Sequence, residues 1–299
     1  MPLTTEIIRI SLAVHWGTQM VIAFNETTVA AQPIDNGVVW QRLLTDNRVK
    51  DTSVLLDRLT LAAGATVQFE PSAKSLGWLQ LLEGEATLKS LETDRMSDSS
   101  FVILPPGFNV TLSTSKGATL LYAEIMDAGR FDPGFLTSPP LFMVIDWTRE
   151  PVFDSEHDAR KRVSLVNPEV NGTAAIKVDM AIYPPGSTSP NHHNEGADAF
   201  MYFLSGRGTA WANEQPFPVR QGDLVCFPNG ERHCLKAADD SEIRILQFSV
   251  PGKFKTVWAD PRNISAWRST GRDIHGGETA LDERVRDAYG HILGNPFTR

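Results

Sequence analysis

The segment PPGSTSPNHHNEGADAFMYFLSGRG, residues 184–208, brings together His192, His193, Asn194, Glu195 and Asp198 just before an apolar run that closes on Gly206. A further histidine, His233, follows in DLVCFPNGERHCL, residues 223–235. Imidazoles are the commonest metal ligands, and a carboxylate within hydrogen-bond reach of a substrate can act as a general base. The chemistry offered is therefore a metal site, with Glu195 or Asp198 as candidate base. His15, His157, His275 and His291 lie outside this pattern and read as ordinary surface or core residues. Cys226 and Cys234 sit beside apolar residues and read as free buried thiols, too few for a disulfide framework.

The elements that must position these residues are strands. VLLDRLTLAAG, GWLQLLEGEATL and SFVILPPG in the first half, and AIKVDMAIYPPG, AFMYFLSGRGTAWA and DLVCFPNG in the second, are short, rich in Val, Ile, Leu and Phe, and broken by Gly, Pro and Asn. Such spacing predicts an all-β sandwich or barrel. The halves also align with each other, from Gly64 and Gly186 to Gly84 and Gly206, and SFVILPPGFNVTL aligns with DLVCFPNGERHCL. A repeat of this length is a duplicated domain. A Gly- and Pro-rich stretch at 127–140 marks the seam. In the tail, Leu281, Val285, Ala288 and Ile292 fall at helical spacing behind Thr279, which predicts a C-terminal helix.

At these residues the chain resembles the cupin superfamily, whose first motif reads G-x5-H-x-H-x3,4-E-x6-G and whose second reads G-x5-P-x-G-x2-H-x3-N. The second fits from Gly222 through Pro228 and Gly230 to His233, with Ala237 in place of the final Asn. The first starts at Gly186, meets His192 after five residues and closes on Gly206. The resemblance implies two tandem cupin barrels (double-stranded β-helix, or jelly roll) with a C-terminal helical tail. The expected division is 1–135 for a barrel without metal ligands, 136–255 for the barrel with the site, and 256–299 for the tail. It also implies one divalent transition metal per chain, with Fe(II) favoured and Mn, Ni or Zn possible. Residues two apart on a strand aim at one interior, so H-x-H delivers two imidazoles together.

The first motif departs from the family. Counting from Gly186 places His192 and Asn194 at the histidine positions and Ala199 where the glutamate belongs. A register shifted by a bulge gives the roles to Asn191, His193 and Asp198, and a mixed one uses both His192 and His193. His233 is a ligand in each. The first half carries Glu70, Ser72, Gly77 and Val110 at the matching places, and is expected to be a scaffold.

Strand parity puts Ala199, Met201 and Phe203 on the ligand face and Phe200, Tyr202 and Leu204 on the other. Met201, Phe203, Trp211, Phe227 and Gln247 are the expected substrate pocket, and Arg207 and Arg232 the nearest cations. Three functions remain open at this point. The first is an Fe(II) oxygenase acting on a small anionic molecule, since a missing carboxylate leaves a more positive metal. The second is a metal-dependent hydrolase, isomerase or decarboxylase, because one degenerate and one intact barrel resemble the organisation of ureidoglycine aminohydrolase. The third is a non-catalytic binding bicupin. The chain has 299 residues, 41% hydrophobic and 21% charged, with net charge -8 and no dense basic run. These values argue against nucleic acid and membrane as partners. The N-terminal MPLTTEIIRISLAVHWGTQMVIAF is too polar to span a bilayer, so a cytoplasmic protein is expected. Its apolar residues, with those of the C-terminal stripe, predict a homodimer.

Overall fold

In strands such as Asp198–Ser205 every residue from Ala199 to Phe203 is buried, because both faces of the strand are covered. The computed structural model describes residues 21–45, 48–49, 52–90 and 93–279. Among them the all-β expectation holds, with antiparallel strands in four sheets, two for each half of the chain. The expected C-terminal helix and all but the end of the N-terminal arm lie outside the described residues.

The first barrel pairs a seven-stranded sheet, centred on Leu76–Gly84 and Ala118–Ile125, with a four-stranded sheet containing Thr66–Phe69 and Val110–Ser113. The second pairs an eight-stranded sheet with a five-stranded one. In strand order the larger sheet runs Ile22–Asn25, Asp223–Phe227, Asp198–Ser205, Ile243–Val250, Lys177–Tyr183, Lys161–Val166, Val152–Ser155 and Trp267–Ser269. The smaller runs Gln215–Arg220, Arg207–Ala212, His233–Ala237, His192–Glu195 and Lys255–Trp258.

The barrels exchange edges. Ile22–Asn25 precedes the first barrel yet pairs with Asp223–Phe227 of the second, Ile22 opposite Cys226. Met143–Asp146 precedes the second barrel yet pairs with Ser100–Leu104 of the first, Met143 opposite Ile103. An open edge strand offers unpaired backbone groups, and each swap covers one. Lys255–Trp258 and Trp267–Ser269 also join the second barrel's sheets, so its strands continue past residue 255.

Alternation along the strands sorts side chains between two places. Ala199, Met201 and Phe203 enter the second barrel's own core, whereas Phe200 and Tyr202 enter a core shared between the barrels. That shared core includes Leu56, Trp78, Phe101 and Leu121 from the first half and Val178, Met180, Leu246 and Phe248 from the second. A polar clamp closes one part of it. Glu26 accepts a hydrogen bond from the Tyr202 hydroxyl and forms an ion pair with Arg58 at 3.0 Å.

The repeated glycine at the end of each motif has a steric cause. Gly206 has φ +83°, and a Cβ there would lie 1.9 Å from the Glu242 carbonyl oxygen. Gly84 has the same φ and the same problem, 2.4 Å from the Gly117 oxygen. Only glycine fits either close approach.

Beyond Met143–Asp146, burial pushes the Glu150 carboxyl up to about 7, with the Asp146 charge adding to the effect. A raised carboxylate pKa stabilises the fold below its unfolded value of 4.5, and that contribution is lost as pH rises through about 7. Glu150→Gln is therefore expected to raise stability at pH 8 by about 1–3 kcal/mol and to change it little at pH 4.5. Urea unfolding at the two pH values measures this; a loss of stability at pH 8 contradicts it.

Candidate functional site

His192 lies directly across the strand pair from His233, with ring centroids 4.4 Å apart. The Phe227 ring stacks on His233 at 4.3 Å, and Trp258 packs on His192 at 5.1 Å. Each imidazole is fixed by a backbone carbonyl. His233 Nδ1 lies 2.9 Å from the Glu231 oxygen, and His192 Nδ1 lies 2.9 Å from the Pro190 oxygen. A carbonyl oxygen can only accept, so each Nδ1 carries the proton and each Nε2 presents a lone pair.

Burial holds both rings neutral. It pushes His233 down to about 3, with His192 as a further electrostatic cause, and it also lowers His192. His233 is 2% exposed, and its Nε2 is buried without a hydrogen-bond partner. Buried polar atoms are rarely left so, and this one is aimed where a ligand could satisfy it. Asn194, two residues beyond His192 on the same strand face, is buried and its Oδ1 accepts from the Thr256 hydroxyl at 3.3 Å.

The residues of the shifted register go elsewhere. His193 and Glu195 occupy the opposite face of their strand, 3.6 Å apart, and the exposed Glu195 accepts from Lys255 Nζ at 3.2 Å. Asp198 accepts from the Asn229 backbone N–H at 2.8 Å and faces a cleft of about 240 Å³ lined also by Thr52, Arg130 and Phe131. Asn191 has a buried Oδ1 without a partner. The expectation of Glu195 or Asp198 as general base is thus corrected: alternation turns the first outward, and a backbone cap holds the second at the other face of its sheet. The same alternation corrects His193 as a companion of His233.

Of the expected pocket residues, Met201, Phe203 and Phe227 lie in the second barrel's core. Gln247 pairs across to Met201 on one side and Asp179 on the other. Trp211 is corrected, since its neighbour Ala210 takes the inward position and Trp211 the outward one. Arg207 is engaged at the surface with Asp240 at 2.5 Å, and Arg232 is exposed. Burial pushes the Cys226 and Cys234 thiols up, and both cysteines are free.

Asp179 was not anticipated. It is 6% exposed in the middle of Lys177–Tyr183, and its Oδ1 has no hydrogen-bond partner. The available signal was a single acid inside the apolar run KVDMAIY, at the parity of the inward Ala181 and Tyr183. In the first barrel, strand pairing sets Phe69 opposite Val110, where the second barrel has His192 opposite His233. The matching position is therefore Phe69, one residue from Glu70, whose carboxylate instead accepts from Asn109.

The two imidazoles fit a divalent cation as two of its ligands, with Asn194 the third donor on that face. Among the described residues no group of three or more His, Cys, Asp and Glu side chains converges. Among the described residues the strong donors at this face are His192 and His233, and further coordination falls to Asn194, water or a ligand.

Two facing-sheet barrels in one chain, with histidines on adjoining strands of one of them, give the fold of two tandem cupin-type barrels. Residues 179–249, within the second barrel, match the family described as "Cupin domain". Oxalate decarboxylase from Bacillus subtilis at pH 4.6 shares the fold, with a TM-score of 0.63 over 82% of this chain and 80% of that chain at 12% identity. In sequence, the "Oxalate-binding protein" of Thermotoga maritima is 28% identical over 67 residues, 22% of this chain and 55% of that protein. An uncharacterized protein of Methanocaldococcus jannaschii is 26% identical over 87 residues, 29% of this chain and 70% of that protein. The chain thus matches about half the length of the first of these relatives.

Proposed function

We propose that the second barrel holds one divalent transition metal on His192 and His233 and uses it to take a small, chelating carboxylate. The Fe(II) oxygenase is the reaction that this reading favours. The observation behind it is the facing pair of imidazoles, both held neutral with Nε2 as the lone pair, one of them buried without a partner. When bound, the metal supplies a Lewis-acid centre with several positions left for exogenous ligands. The chain's own part is to fix the ring tautomers through Pro190 and Glu231, pack the rings with Phe227 and Trp258, and exclude water from His233. Ala199 stands where a carboxylate would otherwise cancel positive charge, and this favours an anionic ligand. The similarity to an oxalate-binding protein supports a small carboxylate. The hydrolase reading placed its base at Glu195 or Asp198, and both of these face elsewhere.

Metal analysis of untreated protein, calorimetry with oxalate, and oxygen uptake after iron loading test this proposal. The expected result is one metal per chain, oxalate binding that chelation abolishes, and uptake that depends on iron and an organic acid. Two metals per chain, or oxalate binding indifferent to chelation, overturns the site. Absence of uptake across small carboxylates, with metal-dependent binding intact, overturns only the oxygenase.

A further inference from the structure

The larger sheet of the second barrel, which packs against the smaller sheet bearing His192 and His233, carries an interior row in which Met201, Gln247 and Asp179 are successive cross-strand neighbours. Asp179 alternates with Val178 and Met180, which enter the core shared between the barrels, and has the parity of Ala181 and Tyr183, which enter the second barrel's own core. It therefore points inward. Lys177 Nζ lies 3.7 Å from Asp179 Oδ2 and balances its charge, leaving Oδ1 buried with no donor. Leaving a buried carboxylate oxygen unsatisfied is costly, and a paired cation on the other oxygen does not satisfy it. Facing sheets in such a barrel stand about 10 Å apart, a span that a small organic acid can bridge.

We infer that Asp179 orients the ligand, and that the ligand therefore carries an N–H or O–H donor besides the anionic group directed at His192 and His233. This rests on the proposed anion site and narrows it from simple carboxylates to hydroxy or amino acids. Gln247, beside Asp179 in the same row, can accept from or donate to the same end of the ligand. A site built to pair a donor discriminates against the analogue lacking it, because the buried acceptor is then left alone.

The test uses the full, metal-loaded chain and calorimetry with four probes. Malate, aspartate and succinate differ only in a hydroxyl, an ammonium or a hydrogen at one carbon, and oxalate reports the anion site itself. Malate or aspartate is expected to bind at least about tenfold more tightly than succinate. In Asp179→Asn that preference is expected to fall to about twofold or less, with oxalate affinity and metal content retained. Malate favoured identifies a hydroxyl as the donor, aspartate favoured an ammonium. If succinate binds as tightly as both while oxalate still binds, the role of Asp179 is overturned and the anion site stands. If none of the four binds, both readings fall. Should Asp179→Asn not fold, equal wild-type affinities for succinate, malate and aspartate still overturn the role.

Discussion

His233→Ala is expected to strip the second barrel of its metal and with it the metal-dependent binding of oxalate. Among the described residues two imidazoles are the strong donors at the site, so losing one leaves His192 and an amide to compete with water. The same substitution has a second signature, independent of any metal. In the native fold burial pushes His233 down to about 3, so this ring stays neutral where an unfolded histidine is protonated. A depressed histidine pKa contributes stability that is fully present above about 6.5 and is lost progressively as pH falls toward about 3. The slope is at most about 1.4 kcal/mol per pH unit for one such group. Metal-free wild type should lose stability between pH 6.5 and 4 more steeply than metal-free His233→Ala, whose unfolded and folded states differ by one titrating ring fewer. Urea midpoints at several pH values, together with metal analysis, read both effects. A folded His233→Ala protein with full metal content refutes the ligand role; parallel pH slopes refute the neutral, buried ring.

Trp78→Ala is the second large effect, and it acts on the union of the barrels. Trp78 is 1% exposed, stacks on Phe101 of its own barrel at 5.5 Å and meets the edge of Phe248 from the other at 5.5 Å. Truncating a buried tryptophan removes its transfer free energy and leaves a cavity that the surrounding strands fill only in part. The expected cost is about 3–5 kcal/mol. Because the contact joins both halves, both should be destabilised together, and denaturation followed by a probe in each barrel should show coincident losses. A change under about 1 kcal/mol, or a loss confined to the first barrel, contradicts the shared core.

The duplicated β architecture was legible because it depends on local features. Short apolar runs between turn residues predict strands, and the recurrence of Gly64, Gly84, Gly186 and Gly206 at one spacing predicts a repeat. The backbone at Gly206, where no Cβ fits, shows why that spacing persists. His233 was legible for the same reason, since the tight Pro228–Gly230 turn fixes where its strand begins. Parity along Asp198–Ser205 was legible too, because a strand has a period of two and Ala199, Met201 and Phe203 must share a face.

What the sequence left open was decided by pairing across strands far apart in the chain. The choice between His192 and His193 turns on one residue of register, and a slip of one residue sends every side chain to the opposite face. Hydrogen bonding of His192–Glu195 to both His233–Ala237 and Lys255–Trp258 selects His192, and carries His193 and Glu195 out to Lys255. The edge exchange by Ile22–Asn25 and Met143–Asp146 was equally hidden, since nothing local in a strand says whose edge it covers. Asp179 shows the limit most sharply. From sequence it is one acid in an apolar strand; only the packed barrel, by burying its Oδ1 and giving Lys177 the other oxygen, makes it a buried acceptor without a donor. Composition and periodicity, in short-range terms, set which strands form and which way their side chains alternate. The partner of each face is a long-range contact, and only the tertiary structure could assign it.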